Sequence, residues 1–148
     1  MPLFNPSGAG SWELIASTTI LADAASITVS SIPAAYTHFH LVLVHAHADS
    51  QRTIYLQLNG TGGTGTDVTN YPGIVPQGIT TFDIAQRGAG DDAVATTNTT
   101  GINLGNPARV SAGYTWVALA AVISTIAVVS SASNFESGTH LELWGCRT

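Results

Sequence analysis

The chain has very little positive charge. Its 148 residues contain nine carboxylates and only four basic residues, which gives a formal net charge of −5. There is no lysine, and the basic residues are scattered along the sequence at Arg52, Arg87, Arg109 and Arg147. Nucleic-acid binding requires clustered positive charge, and anionic membrane surfaces attract basic segments. We therefore expect neither nucleic acid nor a membrane as a partner.

Cysteine and long apolar segments are also scarce. Cys146 is the only cysteine, so an intrachain disulfide is impossible. The longest apolar run, 116–129, is shorter than the ~20 residues that span a bilayer, and Ser124-Thr125 interrupts it, which predicts two buried strands. The first residues have neither a basic nor an apolar signal region. We expect synthesis in the cytoplasm of the producing cell without a signal peptide.

Charged residues make up only 9% of the chain, whereas alanine, serine, threonine and glycine are abundant. The surfaces of soluble monomers usually carry more charge than this. The cores of protein interfaces are depleted in charge. The composition favours a protein that is surrounded by neighbours in an assembly over a monomer with a hydroxyl-rich surface.

Short β-branched segments separated by glycine and proline predict an all-β fold. We count eight or nine short strands and no amphipathic helix, which indicates an antiparallel, jelly-roll-like β-sandwich. The longest strand is predicted at 38–47, and 93–101 is either an edge strand or a solvent loop. The other predicted strands are 12–19, 26–30, 53–58, 79–86, 114–120, 123–130 and 139–145.

Two segments at turns need separate predictions. Asn59-Gly60 is a strong tight-turn signal, but further glycines follow as far as Gly65, which favours a flexible loop over a two-residue hairpin. Residues 1–10 contain prolines and glycines and predict an extended arm in front of a single domain, 11–148. We expect Leu3 and Phe4 to dock the arm on a neighbouring subunit or an underlying shell.

Four histidines form two His-x-His pairs, which could hold a transition metal. A His-x-His pair on a strand places both rings on one face, about 7 Å apart. The two pairs have opposite parity, so they face opposite sides of one regular strand and cannot form a single site without a bulge. Exposed or hydrogen-bonded strand histidines are the favoured interpretation of His38, His40, His45 and His47, and no cofactor is expected.

No motif indicates catalysis. The glycine-rich segment 60–66 lacks the Gly-Lys-Ser/Thr ending of a phosphate-binding loop, and there is no Gly-x-Ser-x-Gly sequence. Asp91-Asp92, with Asp67 and Asp83, could form a glycosidase pair or a calcium site, but adjacent aspartates on a turn point apart. The chain is therefore predicted not to be an enzyme.

Aromatic side chains are the other candidates for binding. All three tryptophans, Trp12, Trp116 and Trp144, lie in strand-like sequence, which favours core or interface positions. Exposed tyrosines on a β-sandwich can stack on sugars, since they combine an apolar ring with a polar tip. Tyr36, Tyr55 and Tyr71 are the predicted ligand surface.

Four segments together carry a family resemblance. They are the strand and Ile-Pro turn at 26–33, the aromatic-to-apolar strand at 36–44, the Arg-to-Leu-Asn-Gly segment at 52–60, and the final strand ending in Trp-Gly at 138–145. In these segments the chain resembles small β-sandwich virion proteins of tailed bacteriophages. The resemblance implies a tail-fibre, tail-tip or head-surface location and no catalytic residues.

The resemblance leads to the expected function. Because the predicted domain fills the chain and no shaft or coiled coil accompanies it, we expect a capsid decoration or head-surface protein. It would be a structural virion component that assembles as a homotrimer on major capsid or tail proteins. The alternative is a tail-tip or fibre module that recognises carbohydrate on the host surface, and a small hydrolase is the least favoured of the three.

Overall fold

The computed structural model describes residues 10–46, 54–62, 64–65, 77–103, 106–117, 119–130 and 134–147. These residues form eleven strands and no helix. The strands are β1 (Trp12–Thr19), β2 (Ser26–Val29), β3 (His38–Ala46), β4 (Ile54–Leu58), β5 (Thr61–Gly62), β6 (Thr64–Gly65), β7 (Gln77–Gln86), β8 (Ala93–Asn103), β9 (Asn106–Trp116), β10 (Ile126–Ser130) and β11 (His140–Cys146).

The strands form a large sheet and a small sheet. The large sheet has the order β1-β11-β3-β7-β8-β9-β6, and the small sheet has the order β2-β10-β4-β5. Every strand pair is antiparallel. The first four strands alternate between the sheets, and β10 and β11 return to opposite sheets, which is jelly-roll connectivity. The hairpin of β8 and β9 widens the large sheet beyond this framework. The predicted all-β, jelly-roll-like sandwich is confirmed, but the described residues form eleven strands instead of the predicted eight or nine, and β7, β8 and β9 are not short.

A single hydrophobic core lies between the two sheets. In β4, Ile54, Leu56 and Leu58 point inward, while Tyr55 and Gln57 point away from the core. This period of two is the pattern of a strand with one buried face. The fully buried side chains that fill the core from both sheets include Phe39, Leu41, Leu43, Leu56, Leu58, Phe82, Ile126, Val128, Leu141 and Leu143.

The segment 93–101 is neither an edge strand nor a solvent loop, so that prediction is wrong. It belongs to β8, which pairs with β7 on one side and β9 on the other. Small or β-branched side chains at every second position fit a crowded inner face, where Ala95, Thr97 and Thr99 are buried. With 11 residues each, β8 and β9 are also longer than the 9-residue β3, which was predicted to be the longest strand.

The prediction of a flexible loop after Leu58 is also wrong for the first residues of that segment. Asn59 and Gly60 have φ angles of 49° and 77°, and Leu58 pairs with Thr61 across them. Two consecutive residues with positive φ form the two-residue turn whose twist suits a β-hairpin. Asn59-Gly60 correctly indicated a tight turn, whereas the glycines that follow it had favoured a flexible loop.

The other predictions are partly confirmed or remain open. The prediction that the apolar run 116–129 forms two adjacent strands split near Ser124 is only half right, because β9 already ends at Trp116 and β10 begins at Ile126. The described residues between them, 117 and 119–125, do not belong to a strand. Residues 1–9 of the predicted arm, with Leu3 and Phe4, lie outside the described residues. Gly10 donates a hydrogen bond from its backbone nitrogen to the carbonyl oxygen of Arg147 at 2.8 Å.

Candidate ligand-binding face

The large sheet has an outer face that points away from the small sheet and carries unusual apolar exposure. Five large apolar side chains on it are 45–50% exposed: Trp12, Leu14, Val44, Ile79 and Val94. Trp12 and Leu14 lie at the same end of the sheet as Trp144, whereas Val44 and Ile79 pair with each other at the opposite end of β3. Apolar side chains that cluster on the surface of a soluble protein mark places where a partner or ligand binds. The outer face is therefore the first candidate for function.

A β-bulge in β1 places two of these side chains outside. Leu14 pairs with Trp144, but Ala16 pairs with the preceding residue of β11, Leu143, so Ile15 is an extra residue in the strand. Ala16 packs against the core. A regular strand running back from Ala16 would also place Leu14 and Trp12 on the core face, because the side-chain period is two. The bulge reverses this phase and turns both side chains outward.

The bulge lies beside a group of four side chains, Trp12, His40, Asp83 and Trp144, which we call the aromatic end. Three of them occupy one cross-strand row, in which Trp144 of β11, His40 of β3 and Asp83 of β7 are direct neighbours. Trp12 joins them from β1, with its ring 6.3 Å from the His40 ring and at 76° to it. Four strands that are distant in sequence therefore build this group.

His40 and Asp83 form a close polar pair. His40 Nδ1 lies 2.6 Å from Asp83 Oδ1, and both side chains remain partly exposed. This contact leaves the Nε2 atom of His40 and the second carboxylate oxygen of Asp83 outside the hydrogen bond. A polar ligand above the sheet could use either atom as a hydrogen-bonding partner.

Trp144 is also held in place by a carboxylate. Its indole Nε1 donates to Glu142 Oε2 at 3.2 Å. Glu142 Oε1 in turn lies 3.5 Å from His140 Nε2, and His140 Nδ1 lies 2.7 Å from Thr19 Oγ1. This chain of contacts fixes the Trp144 ring while leaving it partly exposed.

Two depressions, both open to solvent, meet at Trp12. The first, of about 320 Å³, is lined by Trp12, His40 and Trp144. The second, of about 370 Å³, continues over β3, β7 and β8 and has Asp83, Val94 and Thr96 in its lining. The Trp12 ring borders both depressions, so a single extended ligand could cross it.

The electrostatic character of this region is acidic. Strands β1, β3, β7, β8 and β11 contain no lysine or arginine, whereas Asp83 and Glu142 are partly exposed on the outer face. An anionic ligand would meet repulsion here without a compensating cation. The region suits a neutral ligand.

The structure separates the histidines in the way that their parity predicted. His40 lies on the outer face, while His45 is buried with 4% exposure on the inner face. There His45 Nε2 lies 3.1 Å from Thr80 Oγ1, which lies 3.0 Å from Thr99 Oγ1. His47 lies outside the described residues. Within the described part of the chain, no three potential ligands among His, Cys, Asp and Glu form a metal-binding group.

Of the predicted ligand tyrosines, Tyr36 is engaged within the fold. Its hydroxyl donates to Glu13 Oε2 at 2.6 Å, and Arg147 Nη2 lies 3.3 Å from the same hydroxyl. The Arg147 guanidinium also lies over the Tyr36 ring, 5.0 Å from its centroid. The hydrogen bond to Tyr36 and the charge of Glu13 raise the pKa of Arg147.

The other two predicted tyrosines are Tyr55 and Tyr71, and the structure describes only the first. Tyr55 is half-buried on the outside of the small sheet, and Tyr71 lies outside the described residues. Tyr36 and Tyr55 therefore do not belong to the aromatic end. Trp12 was predicted to have a core or interface role, and Asp83 was weighed for an acidic pair or a calcium site and set aside. The structure instead brings both to His40.

Comparison with known protein families and with characterised proteins finds neither a family model nor a related sequence that matches this chain. Among the residues that the structure describes, there is no helix that could cross a membrane.

Proposed function

We propose that the protein is a non-enzymatic structural component of a tailed-phage virion, a capsid decoration or head-surface protein that assembles as a homotrimer. The proposal combines the sequence resemblance with one structural observation on the small sheet. Copies of the chain contact each other through the outer side of that sheet, and the particle is where the protein acts.

The observation is that the small sheet has no charged residue in any of its four strands, β2, β4, β5 and β10. Its outward side chains form a continuous uncharged surface, since β10 pairs with both β2 and β4. We call this surface the small-sheet face, formed by Ser26, Thr28, Tyr55, Gln57, Ala127 and Val129.

A solvent-facing sheet normally carries charged side chains on its exposed positions, because they keep a protein soluble. The centre of an interface between proteins excludes them, because burying an unpaired charge is costly. Tyr55 is the type of residue that anchors such interfaces. These properties support a contact between copies rather than a free surface.

Jelly-roll sandwiches occur in viral capsid domains as well as in lectin domains, so the fold supports a virion role by analogy alone. The arm predicted at 1–10, with Leu3 and Phe4, would extend the contacts to a neighbouring subunit or to the major capsid or tail proteins.

A copy count on intact particles tests the proposal. Particles would be purified from infected cells and digested, and isotope-labelled peptides of this chain would be quantified against the major capsid protein by mass spectrometry. A decoration or head-surface protein gives hundreds of copies per particle. A few to a few dozen copies would instead identify a tail or fibre subunit, and absence from particles would refute a virion role.

A further inference from the structure

We propose that the aromatic end of the outer face binds a neutral oligosaccharide, with Trp12 as the stacking platform and the His40–Asp83 pair as the group that binds its hydroxyls. The proposal does not depend on the assembly proposed above, because it uses the opposite sheet of the sandwich. It concerns residues that differ from the tyrosines predicted as a ligand surface.

Trp12 is exposed on the outer face, where a ligand can cover its ring. The Trp12 side chain is 45% exposed although its strand borders the core. Burying an aromatic side chain stabilises the fold, so this exposure forgoes part of that stabilisation. The bulge between Leu14 and Ala16 nevertheless turns the side chain outward. A sugar ring presents an apolar C–H face that can cover an indole, which would bury the exposed ring in the complex.

The polar pair of His40 and Asp83 lies beside the Trp12 ring. The Trp12 ring contacts His40, which lies 2.6 Å from Asp83. Hydroxyl groups donate strong hydrogen bonds to an ionised carboxylate and exchange weaker ones with an imidazole nitrogen. A ring face with a carboxylate and an imidazole at its edge matches a sugar, which has an apolar face and a rim of hydroxyls.

The surface around the aromatic end is shallow and open. The two depressions that meet at Trp12 are open rather than enclosed, and they run across β11, β3, β7 and β8. A small ligand that requires an enclosed pocket would not be surrounded by protein here. An extended chain of sugar rings could lie along the surface, with one ring on Trp12 and the next above Trp144 or above Val94 and Thr96.

The charge of the region selects among sugars. Asp83 and Glu142 are carboxylates, and the five strands that surround the aromatic end contain no arginine or lysine. A sialylated or phosphorylated glycan would bring its own negative charge against them. We therefore assign the site to uncharged hexose or N-acetylhexosamine oligosaccharides.

The test is saturation-transfer NMR on the full chain with three neutral oligosaccharides, maltohexaose, chitotetraose and a mannose trisaccharide, and with sialyllactose as the charged comparison. The affinity of each hit is then measured by titration. We expect at least one neutral oligosaccharide to bind and sialyllactose to bind more weakly. Trp12→Ala should weaken the neutral ligand about tenfold or more, the loss that corresponds to one aromatic contact. Trp12→Phe should lose less.

Val44→Ala is the matched control, because Val44 is on the same face, is similarly exposed and lies at the opposite end of β3. It should leave the affinity unchanged. Asp83→Asn should weaken the neutral ligand and reduce the preference over sialyllactose, a change in selectivity that a purely structural residue would not produce. All variants would be compared with the wild type by thermal melting and native mass spectrometry.

Three results would overturn the proposal. One is that no neutral oligosaccharide binds the wild-type chain at millimolar concentration. Another is a variant without its expected effect, either Trp12→Ala that binds as well as the wild type or Asp83→Asn that leaves the selectivity unchanged. The third is that Trp12→Ala alters the mass of the assembly, which would make the aromatic end a contact between copies of the chain. The first two results leave the assembly proposed above unaffected, whereas the third would also contradict assembly through the small-sheet face. The copy count in particles tests the virion location separately from all three.

Discussion

The ring of Tyr36 occupies the space that a β-carbon on Gly145 would need. A β-carbon built there would lie 2.7 Å from Tyr36 Cδ1, 2.9 Å from Tyr36 Cγ and 2.5 Å from Ile15 Cδ1. Gly145 thus allows the loop between β2 and β3 to close directly onto β11. The Tyr36 hydroxyl then reaches Glu13, and the guanidinium of Arg147 stacks on the same ring.

Gly145→Ala should therefore destabilise the fold. The end of Ile15 can move, but a tyrosine ring held at both its face and its hydroxyl cannot shift as easily. Overpacking of this kind costs about 1–3 kcal/mol in the free energy of unfolding, which denaturant titration measures. Gly62→Ala is the control, since a β-carbon at Gly62 meets nothing within 4 Å, and its φ needs no glycine. Equal stability of both variants would show that the Tyr36 ring is free to move.

Leu143→Ala should remove a large part of the core. Leu143 is fully buried on the inner face of β11, and deletion of three side-chain carbons there leaves a cavity. We expect a loss of about 2–5 kcal/mol in the free energy of unfolding. Leu14→Ala removes the same atoms from a side chain that is 50% exposed and should cost less than about 0.5 kcal/mol. A similar cost for both would mean that β11 is not central to the core.

Asn59 should stabilise the sandwich in two separable ways. Its Oδ1 accepts hydrogen bonds from the backbone nitrogens of Ser124 and Thr125 at 2.9 and 3.1 Å, and its Nδ2 donates to the carbonyl oxygen of Val122 at 3.0 Å. The same residue adopts a φ of 49°. Asn59→Gly removes the hydrogen bonds but tolerates this φ, and we expect it to cost about 1–2 kcal/mol.

Asn59→Ala removes the same hydrogen bonds and adds backbone strain of about 1 kcal/mol, because alanine disfavours the left-handed region. Thermal unfolding of both variants therefore separates the two contributions. If Asn59→Ala were as stable as Asn59→Gly, the hairpin turn would not hold this φ in solution.

The fold could be predicted from the sequence where one face of a strand is buried. The alternation of Ile54, Leu56 and Leu58 required an inward face, and the glycine and proline turns required short strands. β8 was harder to predict, because its inner face carries Ala95, Thr97 and Thr99 instead of large apolar residues. Threonine serves equally well on a buried face and in a loop, so alternation gave no clear signal.

The aromatic end could not be predicted for two physical reasons. The first is the bulge at Ile15, since one extra residue reverses every side chain before it and leaves no mark in the composition. The second is sequence distance. His40 and Asp83 become neighbours only because β3 pairs with β7 in one particular register, which the whole sheet determines. The metal hypothesis was built on neighbouring histidines, whereas the actual partner of His40 is 43 residues away.

Assembly of a trimer through the small-sheet face can be tested directly. Native mass spectrometry would compare the full chain with Thr28→Glu, which places a charge at an exposed position of that face on its edge strand β2, and with Thr100→Glu, which places one at an exposed position of the outer face. The account predicts a trimer for the wild type and for Thr100→Glu at micromolar concentration, and dissociation of Thr28→Glu to monomers that keep the wild-type circular dichroism. A wild-type chain that is monomeric under these conditions, or a Thr28→Glu trimer as stable as the wild type, would contradict it.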